Sequence, residues 1–250
     1  MKFAIVFDKS GTILKPCRVA FDIKRKKLLY HISTLKLVKD VDGYLLNIEG
    51  DIKKIKSGKQ KPFFKISCTF SKILPKIEED IILKKEILEA LEKVEEEASR
   101  HCNSEIGTCT ALILNNYGEP IYAIGLGGRI YEDFKNIVDE IRSKSDIFIA
   151  TGNCKNATLK FIKKLKINKH FVIYNASPKE KMEFVKMLKL FYAYVIMVGN
   201  DINDLMAMKE ADISIFVNRE NEDINYDVDY IIKSLNDLPK IISELNFKIS

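Results

Sequence analysis

The sequence predicts an α/β protein in which a parallel sheet lies between two helix layers and is interrupted by an inserted α+β domain. Short apolar segments alternate with helical patterns through the second half of the 250-residue chain, as in parallel sheets with crossover helices. The predicted strands are almost wholly apolar, which is typical of strands covered on both faces. Far more residues separate the first strand from the second than a crossover needs, and this gap indicates the insertion.

The elements of the parallel part follow from their hydrophobic patterns. The predicted strands are Phe3–Phe7, Asp146–Ala150, His170–Tyr174, Tyr194–Val198, Ile213–Val217 and Val228–Ile232. Apolar residues at helical spacing predict the helices Tyr131–Lys144, Lys155–Lys166, Pro178–Leu190, Ile202–Ala211 and Leu235–Leu245. Ser177 and Glu180 form a capping box around Pro178, which predicts where the third of these helices begins.

The predicted inserted domain covers residues 14–118, and residues 1–13 and 119–250 form the core domain. β-branched and aromatic residues in the insert predict the strands Leu28–Val38, Tyr44–Ile48 and Phe63–Phe70. An apolar stripe predicts one long helix over residues 76–101. A hairpin is predicted for Thr110–Asn115 and Pro120–Leu126.

Composition narrows the class of protein. A hydrophobic share of 46% is ordinary for a globular chain, and 11 Gly, 6 Pro and 5 Cys exclude collagen-like and mini-protein classes. Asp8 interrupts the first apolar run too early for a signal peptide, and no later run approaches the roughly 20 residues of a membrane span. The cysteines form no CxxC motif, and an odd number of them cannot all pair within the chain. We therefore expect reduced thiols and a cytoplasmic location. Ordinary packing of His101, Cys102 and Cys109 is favoured over a partial metal site.

The charge is unevenly distributed. The chain carries a formal charge of +6, yet residues 14–75 hold 15 Lys+Arg against 5 Asp+Glu. The runs Lys24–Lys27 and Lys53–Lys61 favour a solvated lysine-rich surface, with steering of an anionic substrate as the second interpretation. Nucleic acid is not an expected partner, because Lys outnumbers Arg 35 to 6 and no nucleic-acid-binding motif is present. The oligomeric state is left open.

Polar residues follow the first predicted strand, where ligands bind in an open parallel sheet. They are Asp8, Ser10, Gly11 and Thr12. A buried carboxylate is costly unless it is paired or metal-bound, and an aspartate can act as a covalent nucleophile. Gly11 permits a sharp turn and a close approach to a ligand. A turn or N-cap aspartate is the alternative interpretation.

Two further strand ends carry groups that suit an anion. Thr151, Gly152 and Asn153 precede a helix, and a hydroxyl with helix N-terminal N–H groups can bind an anion, although routine capping explains them too. Lys181 shares the apolar face of the helix that follows His170–Tyr174. It must therefore extend to solvent or meet an anion. Lys179 competes for the same role.

Oxygen-bearing side chains crowd the loop after Tyr194–Val198. Asn200, Asp201, Asn203 and Asp204 suit Mg²⁺, a hard cation that takes oxygen ligands. Alternatively, Asp201 caps a helix with Asp204 in its first turn. A nucleophile, a hydroxyl, a cation and a metal site at one sheet edge are the groups that phosphoryl transfer requires.

The segments FDKSGT, ATGN, SPKEK and VGNDINDLMAMKEADISI, in this order, resemble the four motifs of the haloacid dehalogenase (HAD) superfamily. The phosphorylation domain of P-type ATPases, with its DKTGT and GDGxND signatures, is the most similar variant. The resemblance covers residues 1–13 and about 119–250. It implies a three-layer, Rossmann-like core, an inserted cap domain, and a Mg²⁺-dependent phosphohydrolase or phosphotransferase.

Carried over by position, the resemblance implies that Asp8 is the nucleophile that becomes an aspartyl-phosphate. Thr151 would bind the phosphoryl group and Lys181 would neutralise it. The implied metal ligands are Asp8, the Ser10 carbonyl, Asn200, Asp201 and Asp204. The predicted substrate-binding residues are Gly11, Thr12, Gly152, Asn153 and Asn203. The expected partner is a phosphorylated small molecule or a nucleotide, with no membrane involved.

Two positions depart from the pattern of HAD phosphatases. Ser10 stands where most of these enzymes have a second aspartate as general acid/base, and its absence predicts a loss of about 10²- to 10⁴-fold in hydrolysis of the aspartyl-phosphate. Asn200 replaces the first acidic residue of the last motif and is a weaker ligand for Mg²⁺. The phosphohydrolase or phosphotransferase is the leading hypothesis, and these departures motivate the alternative, a catalytically weakened binding or regulatory protein that holds a phosphorylated ligand or nucleotide.

Overall fold

A computed structural model describes residues 3–71, 77–102, 104, 108–221 and 223–249. The chain forms two compact units. The first unit contains the described residues up to Lys15, the segment Ile130–Thr151 and the described residues from Ile167 onward. The second unit contains the described residues of Pro16–Arg129 together with Gly152–Lys166.

The strands and helices are labelled in chain order. The strands are β1 (Phe3–Phe7), β2 (Leu14–Asp22), β3 (Lys27–Tyr30), β4 (Tyr44–Glu49), β5 (Phe63–Thr69), β6 (Cys109–Leu114), β7 (Pro120–Ile130), β8 (Ser145–Ala150), β9 (Val172–Ile173), β10 (Val195–Gly199), β11 (Ile213–Val217) and β12 (Tyr230–Ile232). The α-helices are α1 (Thr34–Asp40), α2 (Ile52–Lys56), α3 (Glu79–Ile82), α4 (Lys85–His101), α5 (Glu132–Lys144), α6 (Lys155–Lys164), α7 (Pro178–Leu188), α8 (Leu205–Glu210) and α9 (Leu238–Ile249). In the described part of the chain, none of the helices combines the length and the apolar character needed to cross a membrane.

The first unit is built on a parallel sheet with the strand order β12-β11-β10-β1-β8-β9. Strand β1 is fully buried and pairs with β10 on one side and β8 on the other. Ala4 and Val6 pack with residues of α7 and α8 on one face. Phe7 points to the other face, where its ring lies 5.3 Å from that of Phe134 in α5. The predicted α/β class is therefore confirmed.

The second unit contains a six-stranded sheet with the order β3-β2-β7-β6-β4-β5. The predicted hairpin is confirmed, since β6 and β7 pair antiparallel. Helix α4 buries Leu88, Leu91 and Val94 in a core shared with Leu46 and Leu112 of the sheet. Strands and helices together make this unit α+β, as the sequence predicts.

Two element predictions in this unit are wrong. The predicted strand Leu28–Val38 ends at Tyr30, and α1 begins after Ser33, whose side chain accepts the N–H of Lys36. Short polar caps of this kind favour a helix start over strand continuation.

The predicted helix over residues 76–101 is two helices, α3 and α4, and residue 76 lies outside the described part. Lys84 has extended backbone angles between them. Five residues apart on one continuous helix, Ile82 and Ile87 would point about 140° apart. The break lets both side chains enter the same core.

The prediction of reduced thiols is wrong for four of the five cysteines. Cys17 is bonded to Cys102, and Cys109 to Cys154, all within the second unit. Cys68 in β5 is not part of a disulfide. Cysteine spacing in sequence could not show these pairs, because folding joins residues 85 and 45 positions apart. The partial metal site is also excluded, since Cys102 and Cys109 belong to different disulfides.

Two lysines of the basic insert pair with helix α4 in the same unit. Lys53 Nζ lies 3.2 Å from Glu96 Oε1, and Lys56 Nζ lies 2.8 Å from Glu92 Oε2. These exposed pairs add little stability. They do place glutamates beside the lysines, which supports the interpretation of a solvated surface for this run.

The domain boundaries 13/14 and 118/119 stay a prediction. The compact units change over at Lys15/Pro16 and Arg129/Ile130, and Gly152–Lys166 is grouped with the second unit. Within that unit, Asn47 Nδ2 donates to the Gly152 carbonyl at 2.8 Å. The disulfide to Cys109 also attaches this segment to β6.

The disulfides can be tested by counting thiols. We expect one reactive thiol per unfolded chain before reduction and five after it. Replacing Cys17 and Cys102 together by serine should lower the free energy of unfolding by about 2–4 kcal/mol, because the cross-link restricts the unfolded chain. Cys68→Ser is the matched control and should change the thiol count but not the effect of reduction on stability. Five reactive thiols before reduction would contradict the pairing.

Candidate active site

Asp8 lies at the carboxyl end of the central strand of the parallel sheet. Its backbone N–H continues the β1–β10 ladder by donating to the Val198 carbonyl at 2.9 Å. The residue is buried, with 6% of its surface exposed. Strands β10 and β8 pair with β1 on either side, so Asn200 and Thr151, which follow them, lie at the same edge of the sheet as Asp8.

Lys181 joins Asp8 to a second buried carboxylate. Its Nζ donates to Asp8 Oδ1 at 2.6 Å and to Asp204 Oδ1 at 2.7 Å. The predicted capping box of Ser177 and Glu180 is present, and it begins α7 so that Lys181 points inward from the first turn. Lys179 is exposed. The structure therefore favours Lys181 over Lys179.

Asp204 is held by the loop that follows β10. Its Oδ2 accepts the backbone N–H groups of Asn200 at 3.0 Å and of Asp201 at 3.2 Å. A Cβ atom on Gly199 would lie 2.5 Å from this oxygen, so the close approach requires glycine. Asp201 caps the short 3₁₀ turn Ile202–Asp204 by accepting the Ile202 N–H at 2.6 Å. The capping role that the sequence left open for Asp201 is thus observed.

The loop after Asp8 turns tightly and contacts Asn200. Gly11 has a φ of 92°, which favours glycine, and a Cβ there would lie 2.2 Å from Asn200 Nδ2. Thr12 Oγ1 donates to Asn200 Oδ1 at 3.0 Å. Ser10 is half-buried and forms a β-bridge with Leu14. Asn200 therefore supports the loop of the predicted nucleophile.

Thr151 also belongs to the first unit. It is fully buried, its N–H donates to the Ile173 carbonyl, and its carbonyl accepts the Ala176 N–H. Gly152 and Asn153, predicted to bind the same ligand, fall in the second unit. Asn203 is half-buried in the 3₁₀ turn.

Burial and charge set the protonation of these groups. Burial raises the pKa of Asp8 to about 6, against the lowering effect of Lys181, and Asp204 raises it further. Burial would lower the pKa of Lys181, but the carboxylates of Asp204 and Asp8 hold it above its usual value. Burial lowers the pKa of Lys9 to about 7, opposed by Asp8. Lys181 is thus the cation that is fully charged at neutral pH.

The chemistry of the site fits Mg²⁺. Asp8 and Asp204 supply carboxylate oxygens around Lys181, and Asn200 supplies an amide oxygen beside Thr12. Mg²⁺ is usually held by one or two carboxylates, waters and substrate phosphate. Within the described ranges no three His, Cys, Asp or Glu side chains are grouped to hold a metal ion. Two carboxylates are nevertheless enough for this cation.

Sequence patterns did not reveal a second set of contacts to the loop after Asp8. Arg219, which follows β11, donates to the carbonyls of Gly11 and Thr12 and forms an ion pair with Asp133. The two partners are 86 positions apart, and neither lies in a recognised motif. A charged pair at helix and strand ends gives no periodic signal, so only the fold shows it.

The chain is similar to known proteins. A family model described as haloacid dehalogenase-like hydrolase matches residues 4–212. A soluble P-type ATPase-like phosphatase of Methanocaldococcus jannaschii is 29% identical in an alignment 236 residues long that covers 86% of this chain and 82% of the relative. A probable copper-importing P-type ATPase A of Enterococcus hirae is 30% identical over 107 residues, which are 42% of this chain and 15% of the relative.

A solved structure supports the fold alone. The catalytic CPx-ATPase domain CopB-B superimposes with a TM-score of 0.50 at 16% identity, and the match covers 99% of this chain and 90% of that one. The family model spans more than four fifths of the sequence and begins within the strand that leads to Asp8. Sheet order, strand-end residues and family model agree, and the chain belongs to the haloacid dehalogenase-like hydrolases.

Proposed function

We propose that the chain is a Mg²⁺-dependent phosphatase in which Asp8 attacks phosphorus and is transiently phosphorylated. The observation that carries the proposal is the position of Lys181 between Asp8 and Asp204, buried at the end of the central strand. A structural ion pair needs one carboxylate for one ammonium. Two carboxylates around one ammonium leave a net negative charge that would suit an added cation. With that cation bound, the site would also accept the negatively charged phosphoryl group.

The reaction would take place in two displacements. An oxygen of Asp8 forms a bond to phosphorus while the bond from phosphorus to the leaving oxygen breaks, and that oxygen takes the electron pair and gains a proton from solvent. Water then attacks phosphorus and releases one proton to solvent, while the bond between phosphorus and the Asp8 oxygen breaks to leave phosphate and the free carboxylate. Splitting one difficult substitution into two easier ones is the gain of covalent catalysis.

The side chains around Asp8 would stabilise the charge on the transferred group. Lys181 would neutralise phosphoryl oxygens, and the Thr151 hydroxyl would donate to one of them. Gly11, Thr12, Gly152, Asn153 and Asn203 stay the predicted substrate-binding residues. Mg²⁺ would be held by Asp8, the Ser10 carbonyl, Asn200, Asp201 and Asp204. Of these, Asp201 also caps the 3₁₀ turn. The bound cation would neutralise charge on the phosphoryl oxygens.

The substrate we propose is a phosphorylated small molecule or a nucleotide. The relative from Methanocaldococcus jannaschii is named a soluble P-type ATPase-like phosphatase, and the same class of reaction suits the residues around Asp8. A cytoplasmic location stays a prediction, and the two disulfides remove the argument that rested on reduced thiols.

The role of Asp8 as the nucleophile can be tested by replacing its carboxylate with a neutral amide. Asp8→Asn should lower Mg²⁺-dependent phosphate release from an aryl phosphate by more than about 10³-fold, because an amide cannot form the acyl-phosphate. Asp139→Asn is the matched control, since its carboxylate is exposed on α5 of the same unit, and it should retain full activity. Acid-quenched wild-type enzyme should carry a hydroxylamine-sensitive phosphate that Asp8→Asn lacks. Substantial activity in Asp8→Asn would refute the proposal.

Ser10 decides between a working phosphatase and a weakened binding protein. If the missing general base slows the second displacement, Ser10→Asp should raise steady-state turnover by up to about 10²-fold and lower the phosphorylated fraction after quenching. Ser10→Asn, of similar size but without a basic carboxylate, should not do so. Wild-type turnover near background, together with tight binding of a phosphorylated ligand, would instead support the binding and regulatory function.

The buried charge of Asp8 predicts how stability depends on pH. Its folded-state pKa of about 6 lies above its ordinary value of 3.8, so the folded chain binds more protons between these pH values and loses stability as the pH rises through them. Asp8→Asn should therefore raise the free energy of unfolding by about 1–3 kcal/mol at pH 7.5 in EDTA, with no gain at pH 4. Thermal melts at both pH values measure this difference.

Magnesium provides the matching readout in the same melts. Added Mg²⁺ should raise the melting temperature of the wild type at pH 7.5 more than that of Asp8→Asn, because the variant lacks one carboxylate of the site. Asp139→Asn should behave as the wild type throughout. A loss of stability in Asp8→Asn at pH 7.5 would show that the pair with Lys181 outweighs the cost of burying the carboxylate.

A further inference from the structure

We infer that Arg219 is a positioning residue that fixes the loop after the nucleophile, and that Asp133 orients its guanidinium for this task. The inference rests on the proposed function, since it concerns the same loop. All the residues involved lie in the first unit. They come from the segments after β1, before and within α5, after β10, after β11 and before α9.

Arg219 contacts the loop directly through two backbone carbonyls. Its Nη2 donates to the Thr12 carbonyl at 2.7 Å, and its Nε donates to the Gly11 carbonyl at 3.3 Å. The side chain is 17% exposed, so these bonds are shielded from most of the competing water. One guanidinium thus holds two consecutive peptide units of the loop.

These two peptide units belong to the loop that directly follows Asp8. Within the loop, the Gly11 N–H donates to the Leu14 carbonyl at 2.7 Å and the Leu14 N–H to the Lys9 carbonyl at 2.8 Å. In addition, Thr12 Oγ1 donates to Asn200 Oδ1 at 3.0 Å. The loop is therefore held by hydrogen bonds within its own turn, by Asn200 through the Thr12 side chain, and by Arg219 through two backbone carbonyls.

Asp133 fixes the plane of the guanidinium. Arg219 Nη1 donates to Asp133 Oδ2 at 2.7 Å, and Nη2 lies 3.2 Å from Oδ1. The same Oδ2 accepts the hydroxyl of Ser234 at 3.0 Å and the N–H of Leu235 at 2.9 Å. Burial opposes the charge, but the bonds from Arg219 and from Leu235 hold the pKa of Asp133 below its usual value. A carboxylate with four donors has little freedom to move.

Tyr131 contacts both the Arg219 guanidinium and the loop after Asp8. Its ring centroid lies 3.7 Å from the Arg219 guanidinium carbon. Its backbone N–H donates to the Ile13 carbonyl at 3.1 Å, so the same residue also holds the loop. Stacking on a ring while donating to two carbonyls and a carboxylate uses the planar fork of arginine, and the single ammonium of lysine cannot reproduce it.

This arrangement explains why the loop would need an outside support. Asp8 is covalently attached to the loop, and a displacement of about 1 Å at a nucleophile can reduce the rate about 10²-fold. Lys181 and Asp204 hold the carboxylate, whereas Arg219 and Tyr131 hold the backbone that follows it. Arg219 reaches the loop through the carbonyls of Gly11 and Thr12, which are also predicted to bind the substrate, so its loss should raise KM slightly while the displacement of Asp8 lowers kcat far more.

The test is a comparison of steady-state constants for an aryl phosphate with Mg²⁺. Arg219→Met should lower kcat by about 10²-fold with KM changed less than about threefold, and Arg219→Lys should recover part of the loss. Asp133→Asn should lower kcat by about 10-fold, as supporting residues commonly do. Arg142→Met is the matched control, since Arg142 pairs with an exposed carboxylate on α5, and it should leave both constants unchanged.

Chemical rescue separates positioning from a merely structural role. Arg219→Ala should regain at least about tenfold in kcat on addition of millimolar guanidinium, which would not affect the wild type or Arg142→Ala. Melting temperatures and active-site counts by phosphoenzyme trapping correct for unfolded enzyme. Loss of kcat only in proportion to the unfolded fraction, or no rescue in a folded variant, would overturn the inference.

Failure of this inference can be distinguished from failure of the proposed function. If Arg219→Met does not fold, Arg219→Lys and Asp133→Asn decide, and unchanged kcat in both would overturn the positioning role. If Asp8→Asn is inactive while every Arg219 and Asp133 variant keeps its kcat, only the inference is wrong. Activity in Asp8→Asn would refute the proposed function itself.

Discussion

The ammonium group of Lys181 between two buried carboxylates is the interaction on which the site depends. Asp8 follows β1, Asp204 follows β10, and Lys181 stands in the first turn of α7. Three elements that are distant in sequence are thereby joined at one atom. Removing either carboxylate leaves the other paired, whereas removing the lysine leaves two negative charges together in a buried place, which is far more costly.

Much of the surrounding backbone can be understood as support for this contact. The capping box of Ser177 and Glu180 aims the lysine, and Gly199 allows its loop to approach Asp204 closely. The N–H groups of Asn200 and Asp201 fix the second oxygen of Asp204, so that the carboxylate presents its first oxygen to Lys181. Grouping these charges in a buried place lowers the stability of the fold, as is common at sites adapted to chemistry.

The parts of the molecule that can be predicted from the sequence are those determined by local residue patterns. Apolar strands separated by amphipathic helices indicated the parallel sheet, and the residues just after β1 and β10 indicated the site, because carboxyl ends of parallel strands share an edge. The helix start at Ser177 was equally local. The break between α3 and α4, the helix α1 and the two disulfides were not predicted, because each depends on which distant side chains share a core. Arg219 and Asp133 belong to the same class, since their pairing exists only once the chain has folded.

The return of Gly152–Lys166 to the second unit bears on how such proteins can be recombined. The polypeptide passes between the units four times, and a disulfide and a side-chain hydrogen bond attach the returning segment to β6 and β4. An accessory module that enters and leaves a host once can be exchanged as a single cassette. Here residues 16–129 of this chain, moved alone into a relative, would arrive without helix α6 and without a partner for Cys109. Successful chimaeras would have to carry both segments together.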